Sequence, residues 1–352
     1  MKLENLVREN IKRLTPYSSA RKEFSGVANI FLDANENSFG SPFETNYHRY
    51  PDPLQLKIKG IVSEWNAVKT SEIFIGNGSD EAIDLLFRIF CEPKSDNILI
   101  CPPTYGMYEV SAEINDVEIK RANLTETFQL NFAEIRRQID ENTKLIFFCS
   151  PNNPTGNCLN RSEILEFAKS FNGIVVIDEA YIHFSNSKSL VSEIKNLPNL
   201  VVMQTFSKAW GLAGLRVGLA FANEAIIKLF NNVKPPYNVS QIAQEAVLDA
   251  LNEKKTVDQT IQTIISEREK LTENLSKLKL VTKIYPSDAN FILVKTTDAN
   301  SIYKFLLEET IVVRNRNSVE LCEGCLRITI GTAKENAKLL ESLEKYEKSI
   351  VH

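Results

Sequence analysis

Residues 174–181 read Ile174-Val175-Val176-Ile177-Asp178-Glu179-Ala180-Tyr181. The apolar run has no polar residue at alternate positions. That predicts a strand buried on both faces, as in a mostly parallel sheet covered by helices. Working outward, similar runs recur at Ile73-Phe74-Ile75, Ile98-Leu99-Ile100, Leu145-Ile146-Phe147-Phe148, Leu200-Val201-Val202-Met203 and Val217-Gly218-Leu219-Ala220-Phe221. Between them lie helical patterns such as Ala82-Ile83-Asp84-Leu85-Leu86-Phe87-Arg88-Ile89-Phe90, with apolar residues at i, i+3, i+4 and i+7. Strand and helix alternating from about 72 to 222 predict an α/β fold, a mostly parallel sheet sandwiched by helices.

The pattern changes after Pro235-Pro236. Residues 239–278 read as one long helix, with Ala243, Ala246, Val247, Ala250 and Leu251 on one face. Strand-like runs follow near 281–285 and 290–295, then a helix near 299–309, strands near 311–314 and 325–330, and a helix over 333–348. This is a smaller α+β domain. At the other end a short helix precedes Leu14-Thr15-Pro16-Tyr17, where proline ends regular structure. The expected division is an N-terminal arm over 1–35 packing with the small domain, a large domain over 36–245 and a small C-terminal domain over 246–352.

Composition bounds the function. Of 352 residues, 24% are charged and 43% apolar, an ordinary globular balance that excludes disorder as the main state. Lys and Arg number 41 against 45 Asp and Glu, a net charge of −4, which argues against broad nucleic-acid binding. No apolar run approaches the roughly 20 residues of a membrane span. The polar start, Met1-Lys2-Leu3-Glu4-Asn5, lacks a signal-peptide core, so the cytoplasm is the expected compartment. Six cysteines sit at 91, 101, 149, 158, 322 and 325, most of them in or beside apolar runs. Cys322-Glu323-Gly324-Cys325 admits zinc or redox readings, but zinc would want a second pair or nearby histidines. The histidines are His48, His183 and His352, so a turn before a strand is the better reading and no metal is expected.

Four stretches follow buried strands, where an open α/β sheet binds its ligands. Gly76-Asn77-Gly78-Ser79-Asp80-Glu81 opens a helix whose free N–H groups suit a phosphate; its plain reading is a capped turn. Ser150-Pro151-Asn152-Asn153-Pro154-Thr155-Gly156 is a rigid loop carrying the Asn153 amide, or simply a turn. Asp178 ends an apolar run and needs a cationic or hydrogen-bonding partner. Lys208 follows a strand among small and apolar residues, in Thr205-Phe206-Ser207-Lys208-Ala209-Trp210-Gly211-Leu212-Ala213-Gly214-Leu215-Arg216. A lysine in an apolar site loses pKa and becomes a nucleophile toward carbonyls. Arg216 suits a fixed phosphate or carboxylate. Together these groups are what a protein supplies to pyridoxal 5′-phosphate (PLP).

The sequence resembles the fold-type I PLP-dependent aminotransferases, and within them the histidinol-phosphate branch. The resemblance runs from Leu14-Thr15-Pro16-Tyr17 to Leu326-Arg327-Ile328-Thr329-Ile330-Gly331, and the Lys208 stretch carries it most specifically. It implies Lys208, Asp178 and Tyr181 as catalytic groups. Lys208 would bond the cofactor and move the proton, and Asp178 would pair with the ring nitrogen. Tyr181 and Asn153 would hydrogen-bond the 3′-oxygen, and Tyr105 would stack on the ring. The phosphate would be held by Ser79 and Asp80 N–H groups, Ser207 and Arg216, with help from Thr205. Tyr50 would reach the cofactor phosphate of a neighbouring subunit, making a homodimer. The substrate set is Tyr17, Asn35, Arg314 and Arg327. The implied reaction exchanges an amino group between L-histidinol phosphate and 2-oxoglutarate, giving imidazole-acetol phosphate and L-glutamate, in histidine biosynthesis. The alternatives are an aromatic or broad-range aminotransferase, a threonine-phosphate decarboxylase, and a PLP-sensing regulator. The last is disfavoured because only about 30 residues precede the large domain, too few for a helix-turn-helix domain. No nucleic-acid or membrane partner is expected.

Overall fold

The computed structural model describes residues 3–17, 28–42 and 47–350. Residues 18–27, within the expected arm, lie outside the described residues, as do 1–2, 43–46 and 351–352. The main sheet has seven strands: β1 Ile73–Asn77, β2 Asn97–Ile100, β3 Glu118–Arg121, β4 Thr143–Cys149, β5 Ile174–Asp178, β6 Leu200–Thr205 and β7 Val217–Ala222. Their order is β1-β7-β6-β5-β4-β2-β3. All neighbours are parallel except around β7, which runs antiparallel to both β1 and β6. The architecture is the mostly parallel sheet sandwiched by helices that the sequence predicts. The uninterrupted apolar runs are explained by two-sided burial. Along β4, Leu145 and Phe147 enter one core with Phe74, Phe87 and Phe230, while Ile146 and Phe148 enter another with Phe167 and Phe221.

The helices are α1 Glu9–Lys12, α2 Leu56–Asn66, α3 Ser79–Phe90, α4 Met107–Ile114, α5 Phe132–Gln138, α6 Arg161–Ser170, α7 Glu224–Val233, α8 Gln241–Asn252, α9 Lys254–Leu275, α10 Ala299–Glu308 and α11 Ala333–Ile350. None is long and apolar enough to cross a membrane, among the described residues. A second sheet, wholly antiparallel, comprises β8 Val281–Ile284, β9 Phe291–Thr296, β10 Arg314–Asn315 and β11 Cys325–Thr329 in the order β10-β11-β9-β8.

Three expectations are corrected. The helix expected over 239–278 is two helices, broken at Glu253 (φ −96°, ψ 24°). The break lets Val247 and Leu251 join the main core while Leu271 and Leu275 join the core of the small sheet. The strand expected at 311–314 shrinks to Arg314–Asn315, because Ile311 and Val313 pack into the small-sheet core instead of pairing. Finally, residues 3–12 pack on α3 rather than on the small domain. Leu3, Leu6, Val7 and Ile11 meet the core that holds Phe87 and Ile89, and the Arg8 N–H donates to the Ile89 carbonyl at 3.0 Å. Cys322 and Cys325 are fully buried thiols in the main core, and the Cys325 N–H donates to the Cys322 carbonyl in a turn that enters β11.

Candidate active site

The carboxyl ends of β1, β2, β4, β5 and β6 share one edge with the start of β7, and a cleft of about 680 Å³ opens there. Ser79, Asp80, Tyr105, Asn153, Asp178 and Tyr181 line it from the large sheet. Thr205 lines it from the end of β6, Ser207, Lys208 and Arg216 from the loop between β6 and β7, and Arg314 and Arg327 from the small sheet.

Asp178 is the last residue of β5 and is buried. The Tyr108 hydroxyl donates to its Oδ2 at 2.8 Å, and the Ala180 N–H donates to Oδ1 at 3.0 Å. Burial raises its carboxyl pKa, and these two hydrogen bonds pull it back down. Both oxygens keep a free lone pair, so the carboxylate can accept one more proton-bearing group. Tyr108 is held by stacking on Phe147 at 4.7 Å and by the edge of Tyr105 at 5.5 Å.

Lys208 sits on the loop 206–216, closed at its base by the Phe206 N–H donating to the Val217 carbonyl at 3.1 Å. Its side chain opens into the cleft, 5.6 Å from the centre of the Tyr181 ring. Partial desolvation lowers the amine pKa, and the charges of Arg327 and Arg216 lower it further, against Asp178 and Asp80. Tyr181 packs edge-on against Phe291 at 5.1 Å, and burial pushes its phenol pKa up.

The turn after β1 is built for close approach. Gly78 has φ +79°, and a Cβ there would lie 2.8 Å from the Arg216 guanidinium. A Cβ on Gly218 would lie 2.2 Å from the Ser79 nitrogen. So β7 presses on the first turn of α3, whose leading N–H groups open toward the cleft. Arg216 itself has φ +55°, and its Nη2 pairs with Asp80 at 3.2 Å. Asp80 also accepts from the Tyr105 hydroxyl at 3.3 Å. The Thr205 hydroxyl accepts from the Ser207 N–H at 3.1 Å, which shapes the start of the loop.

On the opposite wall Arg314 is the register partner of Arg327, so the two side chains share a face. Arg327 donates to the Asn153 Oδ1 and lies 5.3 Å over the Phe291 ring. Three expected residues fall elsewhere in the single chain. Tyr50 and Asn35 line a second cleft of about 480 Å³, where Tyr50 stacks on Tyr237 at 4.4 Å. Tyr17 is 74% exposed and lines neither cleft.

Sequence reasoning missed three supports. Tyr108 stands three residues after Tyr105, and nothing in the sequence signals its partner. Buried Asn152 ties two loops together, donating to the Pro103 carbonyl at 2.8 Å and accepting from the Thr104 hydroxyl. Glu179, also buried, accepts from the Leu190 N–H at 2.7 Å and from Gln204 at 2.9 Å. PLP fits this donor set on structural grounds. A buried carboxylate with spare acceptor capacity, an amine of depressed pKa and a Gly-lined helix start with a neighbouring arginine answer its ring nitrogen, aldehyde and phosphate.

Residues 45–343 match the family model described as aminotransferase class I and II. The chain is 50% identical over 344 residues to the histidinol-phosphate aminotransferase of Cytophaga hutchinsonii, covering 98% of this chain and 99% of that one. It is 51% identical over 346 residues to the protein of the same name from Bacteroides thetaiotaomicron, with the same coverage. Among solved structures, the histidinol-phosphate aminotransferase of Clostridium acetobutylicum superposes with a TM-score of 0.79 at 27% identity, over 86% of this chain and 92% of that one.

Proposed function

The chain belongs to the aminotransferase class I and II family, and from that premise we propose that it exchanges an amino group between L-histidinol phosphate and 2-oxoglutarate. It is a PLP-dependent enzyme, and the reaction belongs to histidine biosynthesis. One observation carries the reading of the site: Lys208 and Asp178 share a cleft with the register pair Arg314 and Arg327. The near-full-length identity to histidinol-phosphate aminotransferases supports the choice of substrate.

When bound, PLP supplies a ring that accepts the electron pair left on the substrate carbon as its proton departs. The chain's own residues do the rest. Asp178 would accept the ring N–H and keep that proton in place. Ser79, Asp80, Ser207 and Arg216 would hold the phosphate. Asn153 and Tyr181 would hydrogen-bond the 3′-oxygen, and Tyr105 would cover one face. The Lys208 amine would take the proton from the substrate carbon and deliver it to the cofactor C4′ carbon. Its depressed pKa suits that work, since a base is most effective when its pKa lies near the working pH. Arg327 would grip a carboxylate of L-glutamate, and Arg314 with Tyr17 the phosphate end of the other substrate. One clamp serves both because they bind in alternate half-reactions.

The reading includes a homodimer in which Tyr50 serves the neighbouring site. Tyr50 and Ile242, both on the second cleft, are 50% and 54% exposed, which suits a face that a second copy covers. The direct test is a half-reaction. L-histidinol phosphate added without keto acid should convert the visible band of the PLP-loaded protein to the amine form, and 2-oxoglutarate should restore it. A band that responds to L-glutamate but not to histidinol phosphate removes this substrate.

A further inference from the structure

Beside Arg314 and Arg327, the small-sheet wall of the cleft holds a third guanidinium, Arg316. Its N–H donates to the Cys325 carbonyl at 2.9 Å, which carries the β10–β11 ladder one pair past Asn315 and Leu326. Side chains two apart on extended chain share a face, and Arg314 lies opposite Arg327. The register therefore gathers three cations on one wall. None of them forms an ion pair with a described carboxylate; the arginine ion pairs belong to other residues. Glu320 lines the same cleft, but its carboxylate is engaged by the Asn123 amide. The Arg316 Nε is fully enclosed and has no hydrogen-bond partner.

Like charges gathered without a counter-ion repel one another, and an entering anion relieves them. The two substrates of the proposed reaction differ in the anion they bring. L-Glutamate offers two separate carboxylates, one each for Arg327 and Arg314. A phosphate dianion concentrates its charge on three oxygens around one atom, enough acceptors for two guanidinium forks at once. We propose that Arg316 is a specificity-determining residue that joins Arg314 on the phosphate of the phosphorylated amine and contributes little to binding L-glutamate. This rests on the function proposed above and sharpens it.

The test uses PLP-loaded parent, Arg316→Gln and Arg316→Lys, with each half-reaction measured alone. In Arg316→Gln the apparent dissociation constant for L-histidinol phosphate should rise about tenfold or more, about 1.4 kcal/mol. The constant for L-glutamate should rise several-fold less, and the visible band should stay as in the parent. Arg316→Lys should recover part of the loss, because it keeps the charge but not the fork. Inorganic phosphate, competing against L-glutamate, should inhibit the parent more strongly than Arg316→Gln. Equal weakening of both substrates, or unchanged binding of both, overturns the proposal. If the parent ignores histidinol phosphate, the proposed function fails by itself. The phosphate competition then decides: weaker inhibition of Arg316→Gln supports the anion site, and equal inhibition overturns it.

Discussion

Tyr108 shows how one hydroxyl sets the chemistry of another group. It is the side-chain donor to Asp178, and that hydrogen bond favours the ionised carboxylate. Tyr108→Phe removes the donor and keeps the ring that stacks on Phe147. The Asp178 pKa should then rise further, so the acid limb of the kcat/KM profile should move to higher pH. The rate at the optimum should fall about tenfold, as expected for a lost hydrogen bond to a charged group. A profile that stays in place in Tyr108→Phe would show that the hydroxyl does not tune Asp178. Lys208 and Asp178 were legible in the sequence because each closes or follows an apolar run, where a charged residue demands a reason. Tyr108 was not, because its partner lies 70 residues away and joins it through the sheet. Arg316 stands two residues from Arg314 in the sequence, but its direction depends on a ladder that only the folded register supplies.

Among the elements, α2 carries the clearest stability cost. Its Lys59 is 3% exposed, and burial, with the charge of Lys234 adding to it, pushes the amine down to about 8. Lys234 falls to about 8 as well, mainly through burial, although its Nζ donates to the carbonyls of Pro53, Pro235 and Pro236. An amine with a lower pKa folded than unfolded binds fewer protons in the folded chain. Stability therefore rises with pH between about 8 and 10.5, the ordinary lysine value. Lys59→Met should raise the thermal midpoint at pH 7, by up to about 3 kcal/mol in stability, and the gain should shrink as the pH approaches 10. Melts showing an equal difference at both pH values would refute the buried-charge explanation. The seven-stranded sheet was largely legible because its central strands are uninterrupted apolar runs. Edge strand β3, Glu118-Ile119-Lys120-Arg121, was not, since exposure lets charged residues occupy it. The break at Glu253 carries no proline or glycine; tertiary packing sets it, as α8 and α9 bury their apolar faces in different cores.

At the scale of the whole molecule, one cleft is shared by two sheets, while Tyr50 and Asn35 stand outside it. In the proposed homodimer Tyr50 completes the neighbour's site, and complementation tests that arrangement. Lys208→Ala and Tyr50→Ala should each be strongly impaired alone. Dissociated, mixed in equal amounts and reassociated, they should regain about a quarter of parent activity. Half of the dimers would then be mixed, and each would hold one intact site. If Tyr50 served its own subunit, the mixed dimer would have no intact site and activity would not return. The α/β class was legible at this scale, but the seating of residues 3–12 on α3 was not. Their short apolar face matches many surfaces, and only the finished core selects one.

The reversal of β7 has a consequence for engineering. Because β7 returns beside β6, the segment between them leaves the sheet and re-enters it at the same edge, with its ends hydrogen-bonded together. The group that would retain the cofactor covalently and the arginine beside its phosphate thus travel on one short insert, codons 206–216. A single synthetic cassette can exchange that insert between relatives or vary its length, leaving every strand register untouched.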